Sequence, residues 1–186
     1  MQVELTITEA LAELKTLDKR IEKKRESIFP YLARQDQTKD PLEKDGGSVK
    51  WIKQERQSLD DLEVRKVAIR RAIAKANEST PVSLTISDGT VYAKSLAEWL
   101  TWRKEIVPSR QKFIALVRQR LDAVRRDAQQ KGITVVANGG ETSKPTDVIV
   151  NVSESDLSKE AEHLEEVLGM LDGQLSLKNA TVKITV

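Results

Sequence analysis

Apolar residues return every seven positions along three long stretches of this chain. Ile7, Leu14, Ile21 and Ile28 form the first series, with Ala10, Leu17 and Tyr31 three further on. Ile52, Leu59 and Ile73 form the second, with Leu62, Ile69 and Ala76. Leu100, Val107, Ile114, Leu121 and Ala128, joined by Val117 and Val124, form the third. This repeat keeps one apolar stripe on each helix, and such a stripe must be buried against another helix. The spacing predicts helices from about Glu9 to Ser27 or Phe29, from Val49 to Ala76, and from Ser95 to Lys131. A fourth, opened by Ser153 and Asp156, places Leu157, Ala161, Leu164, Leu168, Leu171 and Leu175 on one face.

Local signals punctuate these helices. Thr6 followed by Glu9 is a capping-box pattern, with Thr8 as the competing cap. Pro30 predicts a stop or kink, and Pro108 a kink inside the third helix. Arg34 to Ser48, with Asp40-Pro41 and Gly46-Gly47, reads as an exposed connection between two antiparallel helices. Asn77 to Pro81 reads as a turn, Gly132 as a C-cap, and Gly169 and Gly173 weaken the end of the fourth helix. Ala137 to Thr146, holding Asn138-Gly139-Gly140, reads as a flexible loop.

Alternating apolar residues predict strands at Val3–Ile7, Val82–Ile86, Ile133–Val136, Val148–Val152 and Val182–Val186. Asp88-Gly89 predicts a hairpin turn into a return strand from Thr90 to Ala93. Val3-Glu-Leu-Thr-Ile7 echoes Val82-Ser-Leu-Thr-Ile86, each read as preceding a helix, although common strand residues account for the match. Long antiparallel helices bring distant positions to one end, so the strands are expected to meet in a small sheet. The fold class is mainly α: a long antiparallel helical hairpin or coiled-coil bundle with a small β element. The predicted division is a long-helix body over 1–132 and a strand-helix-strand segment over 133–186.

Composition narrows this picture. Hydrophobic residues make up 39% and charged residues 32%, which suits long two-faced helices around a narrow core. Aromatics at 4% make that core aliphatic. A net charge of +2 is too balanced to call for a polyanion over the whole surface. The absence of Cys excludes disulfides, thiolate metal sites and cysteine nucleophiles. No apolar run approaches the ~18 residues of a membrane span. The opening Met1-Gln-Val-Glu-Leu5 lacks the regions of a signal peptide, which predicts a cytoplasmic protein.

Catalytic patterns are thin, and the chain reads as a non-enzyme without a cofactor. His163, the only histidine, stands three after Glu160, but a Glu-x-x-His metal site needs further histidines from other helices. No Gly-x-Ser-x-Gly elbow accompanies it, and the glycine pairs lack a Walker lysine. A metal-dependent hydrolase built from carboxylates is the weakest alternative. Nucleic-acid binding through Arg118, Arg120, Arg125 and Arg126 is the stronger one. Against it, Asp122 and Asp127 interrupt the run, and Glu154, Asp156, Glu160, Glu162, Glu165 and Glu166 offer an internal or intersubunit acidic partner. Trp51, Trp99 and Trp102 are candidate partner contacts, with core packing as their commoner role. Val182, Ile184 and Val186 are candidates for strand pairing between chains. These features predict a homo-oligomer or a subunit of a larger protein assembly.

At Asn77-Glu-Ser-Thr80, Asp88-Gly-Thr90 and Leu96-Ala-Glu-Trp-Leu100 with Arg103, the chain resembles the septicolysin-like family of small helical bacterial and phage proteins. Thr8-Glu-Ala-Leu11, Leu171-Asp172 and Asn179-Ala-Thr181 are similar as well. The resemblance implies a helical hairpin body with an Asp-Gly turn and supplies no catalytic residue. It also implies a phage or bacterial setting. The chain departs from it in the strand-like ending from Ala180 to Val186 and around Gly139.

Overall fold

In a computed structural model the chain is mainly α, as its periodicity requires. The structure describes residues 3–137 and 147–186, so the loop expected at 137–146 lies outside the described residues except for Ala137. The elements are β1 (Glu4–Thr6), α1 (Ile7–Ile28), α2 (Ser48–Ser79), β2 (Pro81–Thr85), β3 (Val91–Ser95), α3 (Leu96–Thr101), α4 (Val107–Gln130), β4 (Val135–Ala137), β5 (Val148–Val150), α5 (Glu154–Thr181) and β6 (Lys183–Thr185). A π turn over Trp102–Ile106 joins α3 to α4. The chain forms two compact units, one up to Thr80 together with Leu175–Val186, the other Pro81–Gln174. Strand β6 pairs back onto β1, within the first unit.

The strands do not gather into one sheet. They form three two-stranded pairs: β1–β6 and β2–β3 antiparallel, β4–β5 parallel. The turn that follows β2 fixes its partner locally, and β1 and β6 belong to the other unit. A two-stranded pair is only marginally stable alone, so each depends on helical backing.

In the first unit the capping box forms as expected. The Thr6 hydroxyl accepts the Glu9 N–H at 3.2 Å, and the Glu9 carboxylate accepts the Thr6 N–H at 2.8 Å. Helix α1 therefore starts at Ile7, two residues earlier than read, and gives way at Pro30 to a 3-10 turn. Its heptad positions Ile7, Ala10, Leu14, Leu17, Ile21 and Ile28 are all buried. Ion pairs Glu13–Arg65, Asp18–Lys66 and Lys24–Glu55 set α2 antiparallel to it. Such exposed pairs contribute only ~0–1 kcal/mol each, so they tune register more than stability.

Helix α2 is capped from a distance. The Asp40 carboxylate accepts the Ser48 N–H at 2.8 Å, the Ser48 hydroxyl at 2.5 Å and the Leu42 N–H at 2.9 Å. The helix also runs through Asn77 and Ser79, where the sequence predicted a turn. Asn and Ser lower helix propensity by only about 0.5 kcal/mol, so the stop waits for Pro81. Helix α5 likewise continues through Gly169 and Gly173 to Thr181. Each glycine costs about 1 kcal/mol, less than the roughly 1.5–3 kcal/mol from burying Leu171 or Leu175.

In the second unit the Asp88-Gly89 hairpin forms around a three-residue turn. Ile86 N–H donates to Thr90 C=O, Gly89 N–H to Ile86 C=O, and Gly89 takes a φ of +85° that favours glycine. Val82, Leu84 and Ile86 turn inward. A second capping box, Ser95 with Glu98, starts α3. The echo of Val3–Ile7 at Val82–Ile86 is thus corrected: the latter strand precedes a return strand, not a helix. The feature that recurs is the strand-to-capping-box step at Thr6 and at Ser95. Helix α4 packs on α5 through Ile114, Leu157 and Leu164, with Val117, Leu121 and Ala161 around them. It ends at Gly132, where Ile133 N–H reaches Ala128 C=O and Gly132 N–H reaches Gln129 C=O.

Pro108 acts through its upstream turn. Its ring excludes the ordinary helical position of the Lys104 carbonyl, and Lys104 lies within the π turn. Val107 N–H bonds Trp102 C=O, five residues back. The extra residue re-phases the apolar stripe. Before the turn Leu96 and Trp99 are buried while Leu100 is exposed, and after it Val107 and Ile114 are buried. Trp99 and Val107 are eight apart, one more than a heptad.

The carboxylates at these caps give a pH dependence. Backbone and hydroxyl hydrogen bonds from Thr6 to Glu9, from Ser48 to Asp40 and from Ser95 to Glu98 hold each acid below its ordinary range. Thr90, through its hydroxyl and its backbone, does the same for Asp88. A proton then binds the unfolded chain more tightly than the folded one. The stabilisation is complete above the unfolded carboxyl range, about pH 4, and is lost as pH falls through the lower folded values. The urea midpoint is expected to stay flat from about pH 7 to about pH 5 and to drop below about pH 4.

Candidate functional site

The tryptophans proposed as contacts have different fates. Trp99 is 1% exposed, and its indole N–H donates to Val82 C=O at 3.1 Å, so its surface is not offered to a partner chain. Trp102 is half-buried and stands edge-on to Trp99, with centroids 5.4 Å apart. Trp51, in the first unit, is half-buried and edge-on to Tyr31 at 4.8 Å.

The β6 side chains also differ from expectation. Ile184 is buried and Val182 and Val186 are half-buried, because the alternation turns them inward. What β6 leaves open is its outer edge. The pairs Val3–Val186 and Ile7–Val182 bond inward. By alternation the N–H and C=O groups of Lys183 and Thr185 point away from β1. They line a groove of about 290 Å³ beside Ala72, Ala76 and Ser79 of α2.

The basic run is largely engaged. Arg118 donates to the Ser158 hydroxyl, Arg125 pairs with Glu154, and Arg126 donates to Asp122 C=O. Arg103 and Arg110 pair with Asp172 and Glu160. Of the four arginines read as polyanion contacts, Arg120 alone shows no ion pair or hydrogen bond among the described residues. Glu160 and His163 separate: Glu160 faces Arg110, while His163 Nε2 lies 3.4 Å from the Tyr92 hydroxyl. Among the described residues no three His, Asp or Glu side chains converge, and no helix is long and apolar enough to cross a membrane.

Two apolar surfaces escaped the sequence reading. On α4, Phe113 is 60% exposed, Leu116 49% and Ile106, at the preceding turn, 43%. On α2, Val49, Val64 and Val67 are exposed, with Val64 and Val67 in a shallow groove between Asp60, Glu63 and Arg71. At 3.6 residues per turn the buried and exposed apolar positions of α4 together span roughly 200° of its circumference. One neighbouring helix covers about half of that arc. The signal was present in the spacing of Ile106, Phe113 and Leu116, beside the first stripe. Arg120 and Asp127 interrupt its continuation and hid it.

A cleft of about 250 Å³ opens in the second unit between β3, the α3–α4 region and α5. Trp99, Trp102 and Tyr92 give it aromatic walls, and Lys94, Arg110 and His163 stand around it. No family model, curated protein or solved structure matches this chain.

Proposed function

We propose that this chain is a non-enzymatic structural or assembly subunit that associates with further copies of itself, most concretely as a component of a phage particle. The observation that carries this reading is the outer stripe of α4, Ile106, Phe113 and Leu116, left exposed beside a first stripe that already packs on α5. The stripe is self-complementary in an antiparallel pair centred near Leu116. Phe113 and Arg120 stand seven apart on it, so each Arg120 would lie over the Phe113 ring of the other copy. That arrangement gives a place to the one arginine of the four that has no partner among the described residues. The open edge of β6 offers a second contact through strand addition. The phage-particle form rests on the resemblance at Asn77–Thr80, Asp88–Thr90 and Leu96–Leu100.

Magnitudes favour a reversible association. Two copies would cover the exposed half of four large side chains, Phe113 and Leu116 of each, for about 3–7 kcal/mol. Association costs about 4–15 kcal/mol, so the balance is a concentration-dependent oligomer. The chain has no cysteine, so a single engineered one reports position without background. Leu116→Cys is expected to give a covalent dimer under mild oxidation, reversed by thiol. Gln111→Cys, on the opposite side of α4, is expected to stay monomeric on the same gel. Equal cross-linking at both positions, or at neither, contradicts the reading.

A further inference from the structure

We infer that the aromatic cleft of the second unit is a binding site for a small organic anion, a monocarboxylate bearing one aromatic ring. Core packing explains Trp99, which is buried with its N–H on Val82. It does not explain why two permanent cations stand at the same cleft. Lys94 Nζ lies 5.7 Å from the centroid of the Trp99 ring and shows no ion pair among the described residues. Arg110 reaches it from α4 and holds Glu160 only at 3.5 Å, longer than the roughly 2.7–2.9 Å of a strong charge-assisted hydrogen bond. The residues that line the cleft include these two cations and no carboxylate, while Glu160, Glu98 and Asp88 stand outside it as neighbours of Arg110, Lys94 and His163.

The π turn builds this arrangement. Trp102 and Arg110 are eight residues apart, and in an unbroken α-helix such a pair diverges by about 80°. The inserted residue of the π turn brings them onto one face, so both line the cleft. Single π turns inside helices recur at functional sites, and this one sits where it orients a cleft side chain. His163 and Tyr92 close the opposite wall with rings 5.9 Å apart. The Tyr92 hydroxyl and His163 Nε2 stay at 3.4 Å, a weak mutual bond that leaves both able to meet a polar ligand atom.

Size and chemistry set the ligand class. About 250 Å³ admits one ring and its acid group, less than a drug-sized ligand takes. The ring would lie against Trp102 and Tyr92, and the carboxylate between Lys94 and Arg110. Ile106, Phe113 and Leu116 do not line the cleft, so this site stands or falls apart from self-association.

The test is a fluorescence titration in a Trp51→Phe background, which leaves Trp99 and Trp102 as reporters. Phenylacetate is the probe, with inorganic phosphate as an anion without a ring and benzyl alcohol as a ring without a charge. Saturable quenching by phenylacetate is expected, with phosphate and benzyl alcohol at least about tenfold weaker. Lys94→Met and Arg110→Met replace exposed residues and keep their apolar stems, and each is expected to weaken phenylacetate about tenfold. No saturation by about 10 mM phenylacetate overturns the site. Unchanged affinity in both variants, or either control matching phenylacetate, overturns it as well.

Discussion

Trp99→Ala is expected to destabilise the second unit by about 3–5 kcal/mol, the largest single loss in the chain. Trp99 is 1% exposed and among the largest fully buried side chains, so its removal leaves a large space in the core. The substitution removes the ring that backs Val82 and stands edge-on to Trp102, and it deletes the N–H bond to Val82 C=O. Trp99→Phe separates these contributions. It keeps most of the ring and loses the hydrogen bond, worth about 1 kcal/mol. Urea unfolding followed by far-UV circular dichroism measures both. A loss below about 1 kcal/mol for Trp99→Ala would mean that the hairpin does not pack on α3 as described.

Ile69→Ala is expected to cost about 2–5 kcal/mol, and Ile69→Val only about 0.5–1.5 kcal/mol. Ile69 is 0% exposed, whereas its stripe neighbours on α2, Ile52, Leu59, Leu62 and Ile73, are half-buried. It is therefore the position where α2 meets the α1 stripe most completely, and a cavity there has little room to collapse. Leu59→Ala, at a half-buried site of the same stripe, is expected to cost clearly less. Equal losses at Ile69 and Leu59 in urea titrations would contradict the assigned face of α2.

Much of the fold was legible because its signals are local. The α1 stripe, the Thr6–Glu9 capping box, the stop at Pro30, the Asp88-Gly89 turn and the Gly132 cap each depend on residues within a few positions of one another. What escaped depends on distant or competing terms. The pairing of β1 with β6 joins opposite regions of the sequence, so alternation could give the strands but not their partners. Asn77 and Ser79 were read as a turn, and Gly169 and Gly173 as weakening a helix end, yet their propensity costs are smaller than the burial that carries the helices past them. Leu100 was assigned to the buried stripe because a π turn is invisible to a seven-residue count. Pro108 marked the disturbance, but the compensation lies upstream of it.

The candidate sites were less legible than the fold. Trp99 and Ile184 were interface candidates because aromatic and edge-strand types recur at interfaces, with core packing the commoner role for the tryptophan, and both are buried. The arginines of α4 were read as paired with the acidic fourth helix or, alternatively, as a polyanion contact, and α5 supplies Glu154, Ser158 and Glu160 as partners of Arg125, Arg118 and Arg110. The cleft could not be foreseen, since Lys94, Trp102, Arg110 and His163 share no sequence spacing and meet only through the fold.

The most direct measurement is the native mass of the unmodified chain by light scattering over a wide range of concentration. The account predicts a mass that rises with concentration from 20.9 kDa to at least twice that value. A mass fixed at that of one chain throughout would contradict it.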